Sequence, residues 1–240
     1  MNDITPPTII AFASPKGGAG KSTSCLSIAG ALLKKGYSVH IVDFDQSQAL
    51  WRWYTTTAAP EAKTNLTAQL PPKEDLPAFI QSLWRHPADV LLLDLPGLLT
   101  RDMLHVAAFA TLTITPLKLS ELDIVEANRL HDQLRDIQTR VHKPIIHRLL
   151  VNDVQPLPGA YEYALLDELI QAQLPRFTTL IRHRVAYKEI FGTGLTPHFA
   201  DRTQPKISKA VDELDHLMAE IEALLADDQS AIQPPTKEAA

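Results

Sequence analysis

Apolar residues fall along this chain in short solid runs separated by longer segments of helical period. The solid runs lie at 8–13, 38–43, 90–94, 110–116 and 144–153. Runs of this length, rich in Ile, Val and Leu, read as strands buried on both faces. Between them, apolar positions recur every three or four residues. The first such segment, 24–35, carries Cys25, Leu26, Ile28, Ala29, Ala31, Leu32 and Leu33, then Lys34 and Lys35 in its last turn and Gly36 as a stop. Others lie at 76–84, 119–137 and 165–174. Ser120 is an N-cap for the 119–137 helix, with Glu121 and Asp123 in its first turn. A long stripe at 206–225 runs through Val211, Leu214, Leu217, Met218, Ile221, Leu224 and Leu225. Residues 178–181 read as a short last strand, and the polar, proline-rich stretch 55–75 as a loop. Strands alternating with helices predict right-handed βαβ units, hence an α/β fold with a mostly parallel central sheet flanked by helices. One domain is expected over 1–226, with a disordered tail over 227–240.

Composition narrows this reading. A chain of 240 residues that is 45% hydrophobic can bury a substantial core. Its net charge of -5 excludes a uniformly cationic surface, so any contact with nucleic acid must be local. Cys25 is the single cysteine, which rules out an internal disulfide and marks it as a small core residue. Neither a signal-like N-terminus nor an apolar run of membrane-spanning length is present, so a cytoplasmic location is expected. The nine histidines show no metal-binding spacing, and Cys-x-x-Cys and Gly-x-Ser-x-Gly are absent.

The chemistry begins directly after the first strand, at Ser14-Pro15-Lys16-Gly17-Gly18-Ala19-Gly20-Lys21-Ser22-Thr23. Strand, glycine loop and helix together make a phosphate cradle. Glycines let backbone N–H groups curl around phosphate oxygens, and the helix N-terminus favours negative charge. Lys21 supplies a cation to the β- and γ-phosphates, and the Ser22 hydroxyl is placed to ligate Mg²⁺. Two further strands end in acids. Asp43-Phe44-Asp45 closes the second, offering one carboxylate to help hold hydrated Mg²⁺ and one to orient or deprotonate an attacking water. Asp94, followed by Pro96-Gly97, closes the third and would hold a Mg²⁺-bound water. Asn152, at the end of the fifth, can both donate to and accept from a base edge.

Lys16-Gly17-Gly18-Ala19-Gly20-Lys21-Ser22 departs from the general phosphate loop: Pro15 stands where the first glycine would be, and a second lysine, Lys16, follows. This is the deviant Walker A box, and the chain resembles the ParA/MinD family of ATPases. The resemblance implies a nucleotide-dependent homodimer with ATP and Mg²⁺ sandwiched between subunits, and Lys16 reaching the partner's phosphates. It implies that Asp45 polarises the catalytic water, that Asp43 belongs to the same switch segment, and that Asn152 contacts adenine. After Asp45 the family usually has Pro-Gln; here Gln46-Ser47-Gln48 stands, then Trp51. Trp51, Trp53 and Tyr54 are expected to pack on the body or a dimer partner. The basic segment holding Arg182, Arg184 and Lys188 is either a solvated turn or a nonspecific contact to DNA phosphates. The acidic face of the last helix argues against attachment to anionic lipid, so no membrane partner is expected. The implied roles are partition of plasmid or chromosomal DNA with a ParB-like partner and nucleoid association, or recruitment of a relaxase–DNA complex, a relaxosome, in conjugation. A membrane-cycling regulator or a metabolic P-loop enzyme are remoter alternatives.

Overall fold

The computed structural model describes residues 6–98, 100–142 and 144–227. Its strands are β1 (Thr8–Phe12), β2 (Val39–Asp43), β3 (Leu66–Gln69), β4 (Val90–Asp94), β5 (Leu112–Leu117) and β6 (Ile146–Val151). They form one sheet in the order β3-β2-β4-β1-β5-β6, every pairing parallel. The helices are α1 (Lys21–Lys34), α2 (Ala49–Arg52), α3 (Pro60–Lys63), α4 (Leu76–Leu83), α5 (Arg101–Phe109), α6 (Glu121–Val141), α7 (Ala160–Gln171), α8 (Val185–Thr193) and α9 (Pro205–Asp227).

Side chains of the central strands point alternately to two separate cores. Ile10, Phe12, Ile41 and Leu92 pack with Leu26 and Ile28 of α1 and with Leu214, Leu217 and Ile221 of α9. Ile9, Ala11, Leu91 and Leu93 pack instead with Val106 of α5 and with Leu130 and Leu134 of α6. Burial on both faces explains why these strands are solid apolar runs. It also accounts for the stripe on α9, whose apolar residues are covered by the body of the domain. Among the described residues, no helix is long and apolar enough to cross a membrane.

Register sets up the site. Phe12 lies opposite Asp94, and Asp94 lies opposite Asp43. The strand-end acids therefore share one level, beside the loop that leaves β1. From β1 the chain builds β2 and β3 on one side and β5 and β6 on the other, so this edge is a topological switch point.

Several elements differ from the expected ones. The stretch 55–75 is not all loop: Trp53–Thr57 forms a π-turn, α3 follows, and β3 pairs with β2 at the sheet edge. β3 looked polar because, as an edge strand, it buries only Leu66 fully. The segment 178–181 is no strand. The chain there runs extended beside β6, held by isolated bridges at Arg176 and Arg182. α7 starts earlier than the periodic pattern showed, and α5 was not anticipated. Asp227 closes α9, and the rest of the expected tail lies outside the described residues.

Candidate functional site

The loop between β1 and α1 turns tightly at Gly18 (φ 76°) and Gly20 (φ 100°), a region closed to most side chains. Gly97, in the turn after β4, rests against the loop; a Cβ there would lie 3.1 Å from the Gly17 nitrogen. Lys21 is buried, with its ammonium 3.4 Å from the Lys16 carbonyl. Burial lowers its pKa, while Asp94 and Asp45 oppose the shift. A buried cation in the first turn of α1, in none of the ion pairs among the described residues, is suited to an anionic ligand.

Asp94 is fully buried. The Ser22 hydroxyl donates to its Oδ2 at 2.5 Å, and Oδ1 has no hydrogen-bond partner. Burial pushes its pKa up to about 7; the Ser22 bond pulls down, and the nearby Asp43 charge pushes up again. An orphaned carboxylate oxygen beside a serine hydroxyl is a donor pair fitted to a hard divalent cation such as Mg²⁺. The residues present thus fit the group expected here.

Asp43 is bonded to the backbone of the segment that follows it. Its Oδ2 accepts from the Leu50 and Trp51 amides at 2.9 and 3.0 Å, and its Oδ1 from the Asp45 amide at 3.1 Å. It holds the first turn of α2 and so fixes the switch segment carrying Asp45. The residue expected at the metal thus also accepts three backbone N–H groups. Asp45 is partly exposed, bonded to the Ser47 amide at 2.9 Å, and its pKa is lowered. Burial opposes that shift, but the Ser47 bonds, Lys21 and the Gly97 amide together outweigh it. It is ionised at neutral pH and within electrostatic reach of Lys21.

Lys16 pairs with Asp123 in the first turn of α6. Its side chain is 42% exposed, whereas that of Asp123 is 3% exposed. Asp123 also accepts from the Lys118 amide at 3.0 Å and is capped by Ser120 at 3.2 Å. In the sequence, Asp123 reads only as a helix-start acid. The Ser120-x-x-Asp123 spacing does indicate a helix start, but the lysine partner 107 residues away is visible only in the fold.

Asn152 is buried against the loop. Its Nδ2 donates to the Ala19 carbonyl at 3.0 Å, and its Oδ1 accepts from the Asp153 amide. A Cβ on Gly20 would meet its Nδ2 at 2.0 Å, so the amide braces the loop. Beside it opens a cleft of about 160 Å³ reached by Thr23, Lys118, Asp153, Arg182 and Lys188. Of the basic segment, Arg184 is committed to Glu213 of α9. Lys188 lies on α8, 3.0 Å from His183 Nε2, and Arg182 is exposed. Trp53 is buried with its indole N–H on the Ile190 carbonyl, as expected of an aromatic packed on the body.

Residues 10–197 match the family model described as CbiA, the CobQ/CobB/MinD/ParA nucleotide binding domain. The chain belongs to this family. With the phosphate loop, Ser22 and the strand-end acids assembled, it is an ATPase of the ParA/MinD kind. It is 25% identical over 210 residues to "Protein ParA" of Rhizobium radiobacter, covering 86% of this chain and 92% of that relative. A second relative in the same organism, "Protein virC1", is 29% identical over 124 residues, covering 50% of this chain and 52% of the relative. In fold, the chain resembles a putative plasmid partition protein from Borrelia burgdorferi B31 bound to AMPPNP. That match has a TM-score of 0.65 and 17% identity, covering 89% of this chain and 99% of the other.

Proposed function

We propose that this protein is a ParA-type ATPase. ATP with Mg²⁺ closes a two-subunit sandwich, the dimer binds DNA nonspecifically, and slow hydrolysis reopens it. The cycle partitions or positions plasmid or chromosomal DNA together with a ParB-like partner.

Lys16 carries this reading. A second lysine at the mouth of the phosphate loop is not needed for phosphate binding within one chain, which Lys21 already serves. Here it is half-exposed and parked on Asp123. Leu98, next to the Gly97 that rests on the loop, and Leu122 and Val125, on α6 beside Asp123, are exposed apolar residues suited to a second copy. In the closed dimer Lys16 exchanges Asp123 for the partner's phosphates. Gly17, Gly18, Ala19, Gly20 and Thr23 supply the loop around the phosphates. Ser22 and Asp94 would hold the metal, which would neutralise phosphate charge, and Asp45 orients water for in-line attack. Asp43 positions Asp45 through α2. For DNA, Arg182 and Lys188 are the phosphate contacts of the basic segment, since Arg184 is already paired with Glu213.

Lys16→Gln tests the assignment by light scattering and ATP turnover. The variant binds ATP but stays monomeric, and turnover falls at least about tenfold. ATP-dependent dimers with wild-type turnover would remove Lys16 from this role.

A second reading keeps the ATPase and changes the task to recruiting a relaxase–DNA complex in conjugation. The similarity to virC1 and the presence of Trp51 after the acidic pair favour it. Binding to one origin-of-transfer sequence over random DNA distinguishes the two.

A further inference from the structure

A second charged cleft opens far from the phosphate loop, between the C-terminal half of α6, the start of β6 and Pro175. Its volume is about 260 Å³, and its polar lining is His131, Arg135, Gln138, His147 and Arg148. Because β6 enters the sheet here, the cleft lies toward the end opposite Asp43 and Asp94. None of the ion pairs among the described residues involves Arg135 or Arg148. Arg148 makes one bond, from Nη1 to the His147 carbonyl at 2.9 Å. Gln138 has its Oε1 occupied by the Ile145 amide at 3.2 Å, which leaves its N–H groups as donors.

The two histidines form a relay. His147 is buried, with Nε2 2.8 Å from the Thr115 hydroxyl and Nδ1 3.0 Å from His131 Nδ1. When Thr115 donates inward, His147 Nδ1–H donates to His131 Nδ1. The outer nitrogen of His131 is then an N–H donor. Burial and its basic neighbours hold His147 neutral, with a pKa of about 3. Burial, then Arg135, also lowers the pKa of His131; Asp132 beside it opposes and Arg148 reinforces the shift. The cleft therefore offers guanidinium, amide and imidazole donors without a carboxylate of its own.

We propose that this cleft binds a phosphate-class oxyanion, held by the guanidinium groups of Arg135 and Arg148, the Gln138 amide N–H and the outer N–H of His131. A tetrahedral dianion supplies several acceptor oxygens at once, matching forked guanidinium donors. It also favours the relay direction that turns the His131 proton outward.

The test titrates inorganic phosphate into the full chain held saturated with ADP and Mg²⁺, so that the phosphate loop is filled. Imidazole ring signals are followed by NMR, with His131 assigned from His131→Gln. The expected result is a saturable shift of His131 and a rise of its pKa by about one unit. Arg135→Gln combined with Arg148→Gln should weaken the midpoint by at least about tenfold. Arg135 is exposed, so Arg135→Gln alone gives a smaller loss even if the double variant folds poorly. No saturable shift of His131, or an undiminished shift in Arg135→Gln, would overturn the proposal.

Discussion

At the residue scale, Asp94 shows how a site can oppose its own fold. Its carboxylate is buried with one oxygen unpaired, and its pKa is about 7 rather than the usual 3.8. The proton is therefore bound more tightly in the folded chain than in the unfolded one. This group adds no penalty below about pH 4; stability is lost as pH rises toward 7, and the full penalty persists above it. Asp94→Asn should stabilise the ligand-free protein at pH 8 by about 2–4 kcal/mol, seen as a higher urea midpoint. The gain should vanish near pH 4, and ATP turnover should be lost at every pH. An Asp94→Asn protein no more stable than wild type at pH 8 would mean the carboxylate is not strained. The same titration makes a proton compete with a divalent cation below about pH 7, so the Mg²⁺ needed for half-maximal turnover should rise as pH falls. Lys16 illustrates a related economy of charge: while paired with Asp123 it leaves no unpaired ammonium at the mouth of the loop.

At the scale of elements, the Trp53 indole on the Ile190 carbonyl ties the π-turn to α8, and a backbone bond joins the ends of the two. Gly194 ends α8 at φ 73°, and its carbonyl accepts from the Ala59 amide at 3.0 Å. A Cβ there would sit 2.1 Å from the Thr57 carbonyl oxygen. Gly194→Ala combines left-handed strain with a clash against backbone, and should cost about 2 kcal/mol or more in thermal or urea unfolding. A loss under about half a kcal/mol would show that the π-turn yields easily. Such contacts explain what could and could not be read from the sequence. The buried strands were legible because both faces are covered, and the phosphate loop because glycines and lysines at that spacing have few other uses. β3 was hidden by its edge position, where pairing rather than burial forms the strand. The acids of α9 read as a solvated face, yet Glu220 accepts from the Thr178 and Thr179 amides at 2.7 Å and Glu213 holds Arg184. These acids bind the extended segment 178–184 to the body. Asp123 as the partner of Lys16, and Asn152 as a brace of the loop, depend on chain segments more than a hundred residues apart. Local patterning carries no trace of them.

At the scale of the whole molecule, a chain of net charge -5 must gain any affinity for DNA from arrangement rather than total charge. In the proposed cycle, dimerisation would supply this by doubling a modest basic surface, so that two weak contacts act together. Hydrolysis would then control DNA binding through the dimer. The most direct test measures binding to random duplex DNA with ATP, with ADP and without nucleotide, for wild type and Asp45→Ala. Binding seen only with ATP, prolonged in Asp45→Ala and weakened by salt, is the result this mechanism predicts. Equal DNA binding with ATP and ADP, or none while ATP is still bound, would contradict it.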